Sequence, residues 1–188
     1  GAGRGKSNLI YLNGGASGIG GGVIAGGRLL GGSAGYAGEL GHIRVSSSSV
    51  RDSAGIAGTL EAEVTRDELQ TVLGLARVTP GEFSEALLAD RSDAVATVVR
   101  RQLGHLGTAI AAAINVLNPQ VVALGGFLAT LAEYDRVLLE RTVKDATLTP
   151  SMEGVSITAA ELGENLLMVG AAGLAFGELL ADPASIAR

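Results

Sequence analysis

The residues best placed to do chemistry lie in two glycine-rich runs near the start of the chain. The first is Gly14-Gly15-Ala16-Ser17-Gly18-Ile19-Gly20, and it carries no ionisable group. Any chemistry here belongs to the backbone: successive N–H groups in a turn free of side-chain bulk form a concave cradle for phosphate. The plain alternative is a tight hairpin with no ligand. The second run, Gly31-Gly32-Ser33-Ala34-Gly35-Tyr36-Ala37-Gly38-Glu39-Leu40-Gly41-His42, adds one carboxylate and one imidazole three residues apart.

The first run resembles the cofactor turn of the short-chain dehydrogenases, where a strand meets a helix N-terminus that holds a pyrophosphate. That resemblance makes three further demands: a helix directly after the turn, an acidic residue about 20 residues on, and a Tyr-x-x-x-Lys pair. Gly21-Gly22-Val23-Ile24-Ala25-Gly26-Gly27 follows instead, a poor helix with glycines at both ends. The first acidic residue outside another motif is Asp52, which is too distant. The residues four after Tyr11, Tyr36 and Tyr134 are Gly15, Leu40 and Leu138, none of them Lys. A glycine loop between two hairpin strands meets none of these objections.

Composition narrows the class. The chain has 188 residues, the size of one domain or of one large lobe. At 47% hydrophobic it can build a core, which excludes wholesale disorder. Sixteen of its 29 glycines fall between Gly1 and Gly41, so the enrichment is local. The net charge of -5 (14 minus 19) argues against nucleic-acid binding by this chain alone. The absence of Cys excludes disulfides and cysteine-based zinc sites and fits a cytoplasmic protein. No apolar run reaches the ~18 residues of a membrane span, and no signal peptide is recognisable. Gly1-Ala2-Gly3-Arg4-Gly5 reads like the interior of a longer chain.

The elements that must position these residues follow from pattern. Asn8 to Leu12 reads as a strand, and residues 13–22 as a glycine-rich turn. Val23-Ile24-Ala25, Gly26-Gly27 and Arg28-Leu29-Leu30 read as a hairpin. A second glycine loop ends in a strand at Ile43-Arg44-Val45, followed by a polar loop from Ser46 to Ser49. Thr65 and Glu68 form a capping box for a helix towards Leu75, and Phe83 to Ala89 is a further short helix. Ser92 starts the longest helix, with an apolar stripe of Val95, Val98, Val99, Leu103, Leu106, Ile110, Ile114 and Leu117, stopped by Pro119. Val121 to Leu124 is a strand that Gly125-Gly126 turns into a helix from Leu128 to Lys144. Val155 to Ala159 is a strand, and a final helix runs from Leu166 to Leu180. The last part is a parallel βαβ unit covered by helices, within a single domain.

Ala37-Gly38-Glu39-x-Gly41-His42 resembles the signature of the ROK family, which contains bacterial sugar kinases and sugar-responsive repressors. The adjoining Ser17-Gly18-Ile19-Gly20-x-Gly22 is similar to the family's hairpin. Asn118-Pro119-Gln120-Val121-Val122-Ala123-Leu124-Gly125-Gly126 resembles its strand entering a nucleotide-side glycine turn, and Gly170-Ala171-Ala172 its C-terminal helix start. The resemblance implies an α/β chain of the actin-like ATPase (ribonuclease H-like) fold, as the larger C-terminal lobe. It also implies that Glu39, His42 and Glu61 contact sugar hydroxyls, a sensible role for acceptor-rich carboxylates and an imidazole with one donor and one acceptor. Ser17, Gly18, Gly20, Gly125 and Gly126 would face phosphate or nucleotide.

Two departures shape the expectation. The family's structural zinc uses the His of E-x-G-H and three Cys in C-x-C-G-x-x-G-C-x-E. Here that frame reads Asp52-Ser53-Ala54-Gly55-Ile56-Ala57-Gly58-Thr59-Leu60-Glu61, with Asp52, Ala54 and Thr59 at the cysteine positions. His42 and Asp52 do not complete a four-ligand zinc site, so no metal is expected, and the loop from Ser46 to Ala57 should be held only by packing or be mobile. His105 is expected to be a packing or surface histidine. Second, no Asp in the chain has Gly two residues later, so the Asp-x-Gly-Gly-Thr phosphate loop is missing, and the separate Asp-bearing segment that would precede this region as general base is not found either. The expectation is a lobe of a longer protein without its N-terminal lobe or any helix-turn-helix. That parent is a homodimeric regulator sensing a sugar or sugar phosphate, reaching DNA only through the missing domain, or else a glucokinase-like enzyme using ATP and Mg²⁺.

Overall fold

The computed structural model describes residues 3–160 and, beyond them, Phe176 alone. Among these residues, five strands form one sheet: β1 (Leu9–Gly15), β2 (Gly18–Ala25), β3 (Arg28–Leu29), β4 (Val121–Gly126) and β5 (Ser156–Ala159), in the order β3-β2-β1-β4-β5. The β1/β2 and β2/β3 pairs are antiparallel, whereas β1/β4 and β4/β5 are parallel, so the expected parallel βαβ unit is present as β4 to β5. Strand β1 alternates, with Ile10 and Leu12 buried and Leu9, Tyr11 and Asn13 half-buried. Strand β4 is buried along Val121–Gly125, as a strand flanked by parallel neighbours under helical cover must be.

The α-helices among residues 3–160 are α1 (Leu60–Glu63), α2 (Arg66–Val72), α3 (Pro80–Ala89), α4 (Asp93–Leu117), α5 (Phe127–Tyr134), α6 (Arg136–Asp145) and α7 (Thr149–Met152). The longest, α4, is capped by Ser92, whose hydroxyl accepts from Val95 N. It ends at Asn118, held left-handed at φ 42°, a conformation Asn tolerates, just before Pro119. Its stripe of Val95, Val99, Leu103, Leu106, Ile110 and Ile114 is buried in one cluster with Ile10, Leu12, Val122 and Leu124 of the sheet, and Val98 and Leu117 are half-buried at its edge. α6, α2, α1 and α5 pack around this helix. No helix among the described residues is long and apolar enough to cross a membrane.

Several expectations need correction. The glycine turn at residues 13–22 is mostly strand: Gly15 pairs with Gly18, leaving a turn of only Ala16 and Ser17. Ile43 to Val45 is not a strand, because Arg44 makes only an isolated bridge to Thr59. The helix expected over 128–144 is two helices broken at Asp135, which has φ -144° and accepts from Leu138 N to cap α6. Arg91 explains the break: its guanidinium stacks 4.0 Å over the Tyr134 ring and donates to the Tyr134 carbonyl at 2.9 Å, taking an acceptor that a continuous helix would use. Thr65 caps α2, but the carboxylate of Glu68 turns away to Arg101 and Gln102; the reciprocal capping box is Thr79 with Glu82. The helix ends at Val72, short of Leu75. The final helix expected over 166–180 and the Gly170-Ala171-Ala172 motif lie outside the described residues.

Leu106→Ala, at a fully buried point of the α4 stripe, should cost about 2–5 kcal/mol through lost burial and a residual cavity. Val116→Ala, on the exposed face of the same helix, should stay within about 0.5 kcal/mol of the parent. Urea unfolding of the two variants checks the pair.

Candidate functional site

The hairpin β1–β2 and a single 3₁₀ turn over Leu40–His42 create the site. The turn sits directly on β2: a Cβ at position 41 would lie 2.1 Å from the Ile19 carbonyl oxygen, so only glycine lets the two backbones meet. Residues 39 and 42 are thereby brought to the same side of that contact. Oε2 of Glu39 lies 3.9 Å from Nε2 of His42, with the two side chains 54% and 29% exposed, so a carboxylate and an imidazole face one another at the surface. Glu61, at the start of α1, reaches back to the hairpin and accepts from Ile19 N at 2.9 Å. Gly18 sits beside it at φ 137°, a backbone conformation that favours glycine, and a Cβ there would displace the Glu61 carboxylate. Glu61 also accepts from the backbone and hydroxyl of Ser53, leaving about one of its acceptor sites free.

The loop from Ser46 to Ala57 is not held by packing alone. Its centre is the carboxylate of Asp52, whose side chain is fully buried. Oδ2 lies 2.8 Å from His42 Nδ1 and accepts from Thr59 Oγ1 at 2.8 Å. Oδ1 accepts from the backbone N–H groups of Ala54 at 3.0 Å and Ile56 at 2.8 Å. Backbone bonds from Val45 and Ser46 to the Gly58 carbonyl, and from Gly58 N to Val50, close the base of the loop. Below it, Ser46 Oγ donates to the buried Glu63 at 2.7 Å, and Glu63 lies 3.7 Å from His105 Nε2 and 3.9 Å from Arg101 Nη1. His105 is therefore a charge-facing residue at the junction of α1 and α4, more than packing.

Electrostatics follow this geometry. The hydrogen bond to Asp52 raises the His42 pKa; burial opposes it, and the charges of Asp52, Glu61 and Glu39 reinforce it. Burial would raise Asp52, but hydrogen bonds from His42, the Ile56 backbone and Thr59 outweigh it and hold the carboxyl at about 2. Burial likewise acts to raise Glu61 and Glu63, and both end below their ordinary values: Glu61 through Ser53 and Ile19, Glu63 through Ser46 and Ser48.

The zinc frame does not fit a metal here. Ala54 has no donor atom, Thr59 offers a neutral hydroxyl already spent on Asp52, and the Nδ1 of His42 is spent on the same carboxylate. Among the described residues no group of three or more His, Cys, Asp or Glu side chains is placed to hold a metal ion.

The phosphate-loop residues divide between two places. Parallel pairing of β1 with β4 sets Gly14 beside Gly126 at the strand ends, where Gly125 and Gly126 line a cleft of about 470 Å³ together with Gly15, Arg66 and Ser84. Ser17 lies in the hairpin turn and Gly18 abuts Glu61, while Gly20 is exposed within β2; none of the three lines that cleft. Sequence reasoning missed the roles of Asp52, Ser53, Thr59 and Glu63. Asp and Thr at two cysteine positions beside a retained His were the available signal.

Comparison with known proteins agrees with this architecture. The ROK family matches residues 1–178, and the chain belongs to it. A glucokinase of Halalkalibacterium halodurans is 31% identical over 193 residues, covering 90% of this chain and 56% of the glucokinase. The DNA-binding transcriptional dual regulator NagC of Escherichia coli is 35% identical over 133 residues, covering 65% of this chain and 32% of the regulator. The crystal structure of a ROK hexokinase from Thermus thermophilus superposes with a TM-score of 0.76 at 28% identity, covering 96% of this chain and 61% of that one. The fold is therefore the actin-like ATPase fold of the ROK sugar kinases, and this chain spans about a third to three-fifths of these proteins' length.

The pH dependence of the loop has a defined sign. A raised His42 pKa contributes stability that is present below its ordinary 6.5 and lost as pH rises through the folded value. A depressed Asp52 pKa contributes stability that is present above its ordinary 3.8 and lost as pH falls through about 2. Amides of residues 52–56 should be best protected from hydrogen exchange, relative to intrinsic rates, between about pH 4 and 6.5. Equal or greater protection at pH 9 than at pH 5 contradicts this account.

Proposed function

We propose that this chain is the effector-binding lobe of a ROK-type transcriptional regulator and that it binds a sugar or sugar phosphate through Glu39 and His42, with Glu61 beside them. One observation carries the reading. Glu39 Oε2 and His42 Nε2 face each other across 3.9 Å, at the surface, on a turn that glycine alone can seat against β2. Two neighbouring hydroxyl groups can each engage one of these atoms, and the near-surface backbone leaves room for a small polyol.

The regulator reading draws support from the family relationship with NagC and from the altered zinc frame, where Asp52, Ala54 and Thr59 relax a demand that catalysis would maintain. Closure of the lobes on the sugar would bias the orientation of DNA-binding modules outside this chain. The protein so read is a cytoplasmic homodimer.

A second reading, the C-terminal lobe of an ATP-dependent sugar kinase of glucokinase type, is favoured by the cleft at Gly125 and Gly126 and by the extent of the match to the H. halodurans glucokinase. Backbone N–H groups there would meet the phosphates of ATP bound with Mg²⁺; the Asp-x-Gly-Gly-Thr phosphate loop and the separate Asp-bearing segment that supplies the base would both have to come from outside this chain.

A thermal-shift screen of the full-length protein with hexoses, N-acetylhexosamines and their phosphates is the test. A bound sugar at one hundred times its Kd should stabilise by about 2.7 kcal/mol. Glu39→Ala should abolish that shift; an unchanged shift removes Glu39 from the site. Sugar-dependent ATP consumption selects the kinase, and sugar-dependent release of DNA selects the regulator.

A further inference from the structure

The four positions of the zinc frame, His42, Asp52, Ala54 and Thr59, converge on one carboxylate instead of on a metal. Asp52 Oδ2 takes His42 Nδ1 and the Thr59 hydroxyl, each at 2.8 Å, and Oδ1 takes the N–H groups of Ala54 at 3.0 Å and Ile56 at 2.8 Å. We propose that Asp52 is a positioning residue that replaces the metal: it fixes the His42 ring with Nδ1 as donor, so that Nε2 is presented to the ligand as a hydrogen-bond acceptor. The purpose of this arrangement rests on the carbohydrate reading of Glu39 and His42; its geometry does not.

An ionised carboxylate only accepts hydrogen bonds, so the proton in the His42–Asp52 contact sits on Nδ1. Thr59 satisfies the same logic, because its oxygen donates to Asp52 while accepting from Ala62 N at 3.3 Å to cap α1. A neutral imidazole has one ring proton, and with that proton on Nδ1 the Nε2 atom carries a bare lone pair. A metal on one nitrogen of a neutral imidazole produces the opposite result: the remaining nitrogen keeps its N–H and donates. The substitution of Asp for a metal therefore inverts the hydrogen-bond polarity that His42 shows to a ligand.

The ligand class follows. Glu39 Oε2, 3.9 Å from His42 Nε2, is also an acceptor. Where His42 is neutral, two acceptors this close, with no proton between them, suit a vicinal diol that donates one hydrogen to each; where its raised pKa keeps the ring protonated, Nε2–H donates instead. A ligand with an ether or a deoxy carbon in place of either hydroxyl leaves one acceptor unmet. The carboxylate of Asp52 is held by backbone donors on one oxygen and by side-chain donors on the other, so it turns little, and the ring it holds is fixed with it.

The experiment uses the full-length protein with ¹⁵N-labelled histidine, at a pH above the His42 titration, and reads the ring tautomer by NMR. Metal content after dialysis and the affinity for the sugar found in the screen, with and without a chelator, complete it. The expected results are the Nδ1–H tautomer, no stoichiometric zinc, and an affinity unchanged by chelation. Asp52→Asn then separates positioning from simple stability. Its carbonyl oxygen keeps the Ala54 and Ile56 donors, which fix the amide so that its NH₂ faces His42 and Thr59. The ring proton should move to Nε2, the amides of residues 52–56 should stay protected, and sugar affinity should fall about tenfold for one lost acceptor. The Nε2–H tautomer in the parent protein, stoichiometric zinc, or an unchanged tautomer in Asp52→Asn overturns the proposal. If the parent binds no sugar, the carbohydrate reading fails, while the tautomer and metal measurements still decide the role of Asp52.

Discussion

A buried carboxylate must find donors or it will not stay ionised, and in this protein that requirement organises the functional face. Asp52 lies out of solvent, and each of its oxygens is met by two donors. Satisfying it draws together residues from three stretches: the 3₁₀ turn that carries His42, the loop around Ala54 and Ile56, and Thr59 at the cap of α1. A zinc ion achieves a similar gathering with four strong ligands drawn from thiolate, imidazole and carboxylate groups. Hydrogen bonds to one ionised group are individually weaker, but they are charge-assisted and directional, and they need only residues that a cysteine-free chain supplies.

The scaffold beneath is arranged so that this gathering takes place in one place. Parallel pairing of β1 with β4 brings the two glycine pairs at their ends side by side, and the antiparallel hairpin carries the chain from there back towards Glu61. Glu61 links the two regions, because it accepts from Ile19 in β2 and from Ser53 in the loop. Glu63, two residues later, turns to the other side and ties the loop base to α4 through Ser46, His105 and Arg101. The short helix α1 thus connects the exposed face to the longest buried helix through two carboxylates that point in different directions.

Membership of the ROK family and the actin-like fold account for where the glycines must be, and they leave the chemistry of this particular loop open. Relatives include both glucokinases and DNA-binding regulators, so the fold does not choose between the two. The loop itself is distinctive: at the three positions where the family resemblance implies cysteine it carries Asp52, Ala54 and Thr59, with Gly55, Gly58 and Glu61 in the frame the resemblance implies.

Much was legible from residue order. The stripe of α4 repeats every three to four residues, its cap and its stop are adjacent to it, and the Gly26-Gly27 hairpin depends on neighbours two residues apart; such features are set by short-range geometry. The proximity of Glu39 and His42 is local too, since they lie on either side of one glycine turn, while their reading as sugar ligands rests on the resemblance to the ROK signature. Other features depend on partners far along the chain. The break between α5 and α6 depends on Arg91, 43 residues before the carbonyl it binds, and Glu61 meets Ile19 across 42 residues. The grip of Asp52 on His42 has no periodicity to betray it, and Glu68 forsakes its local capping box for Arg101 and Gln102 on another helix. Sequence by itself determined the long helix, most of the strands and the candidate residues, because local backbone sterics and apolar spacing act over a few residues. Only the tertiary structure decided which polar groups pair, because a buried donor or acceptor bonds to whatever folding brings within 3 Å, at any separation along the chain.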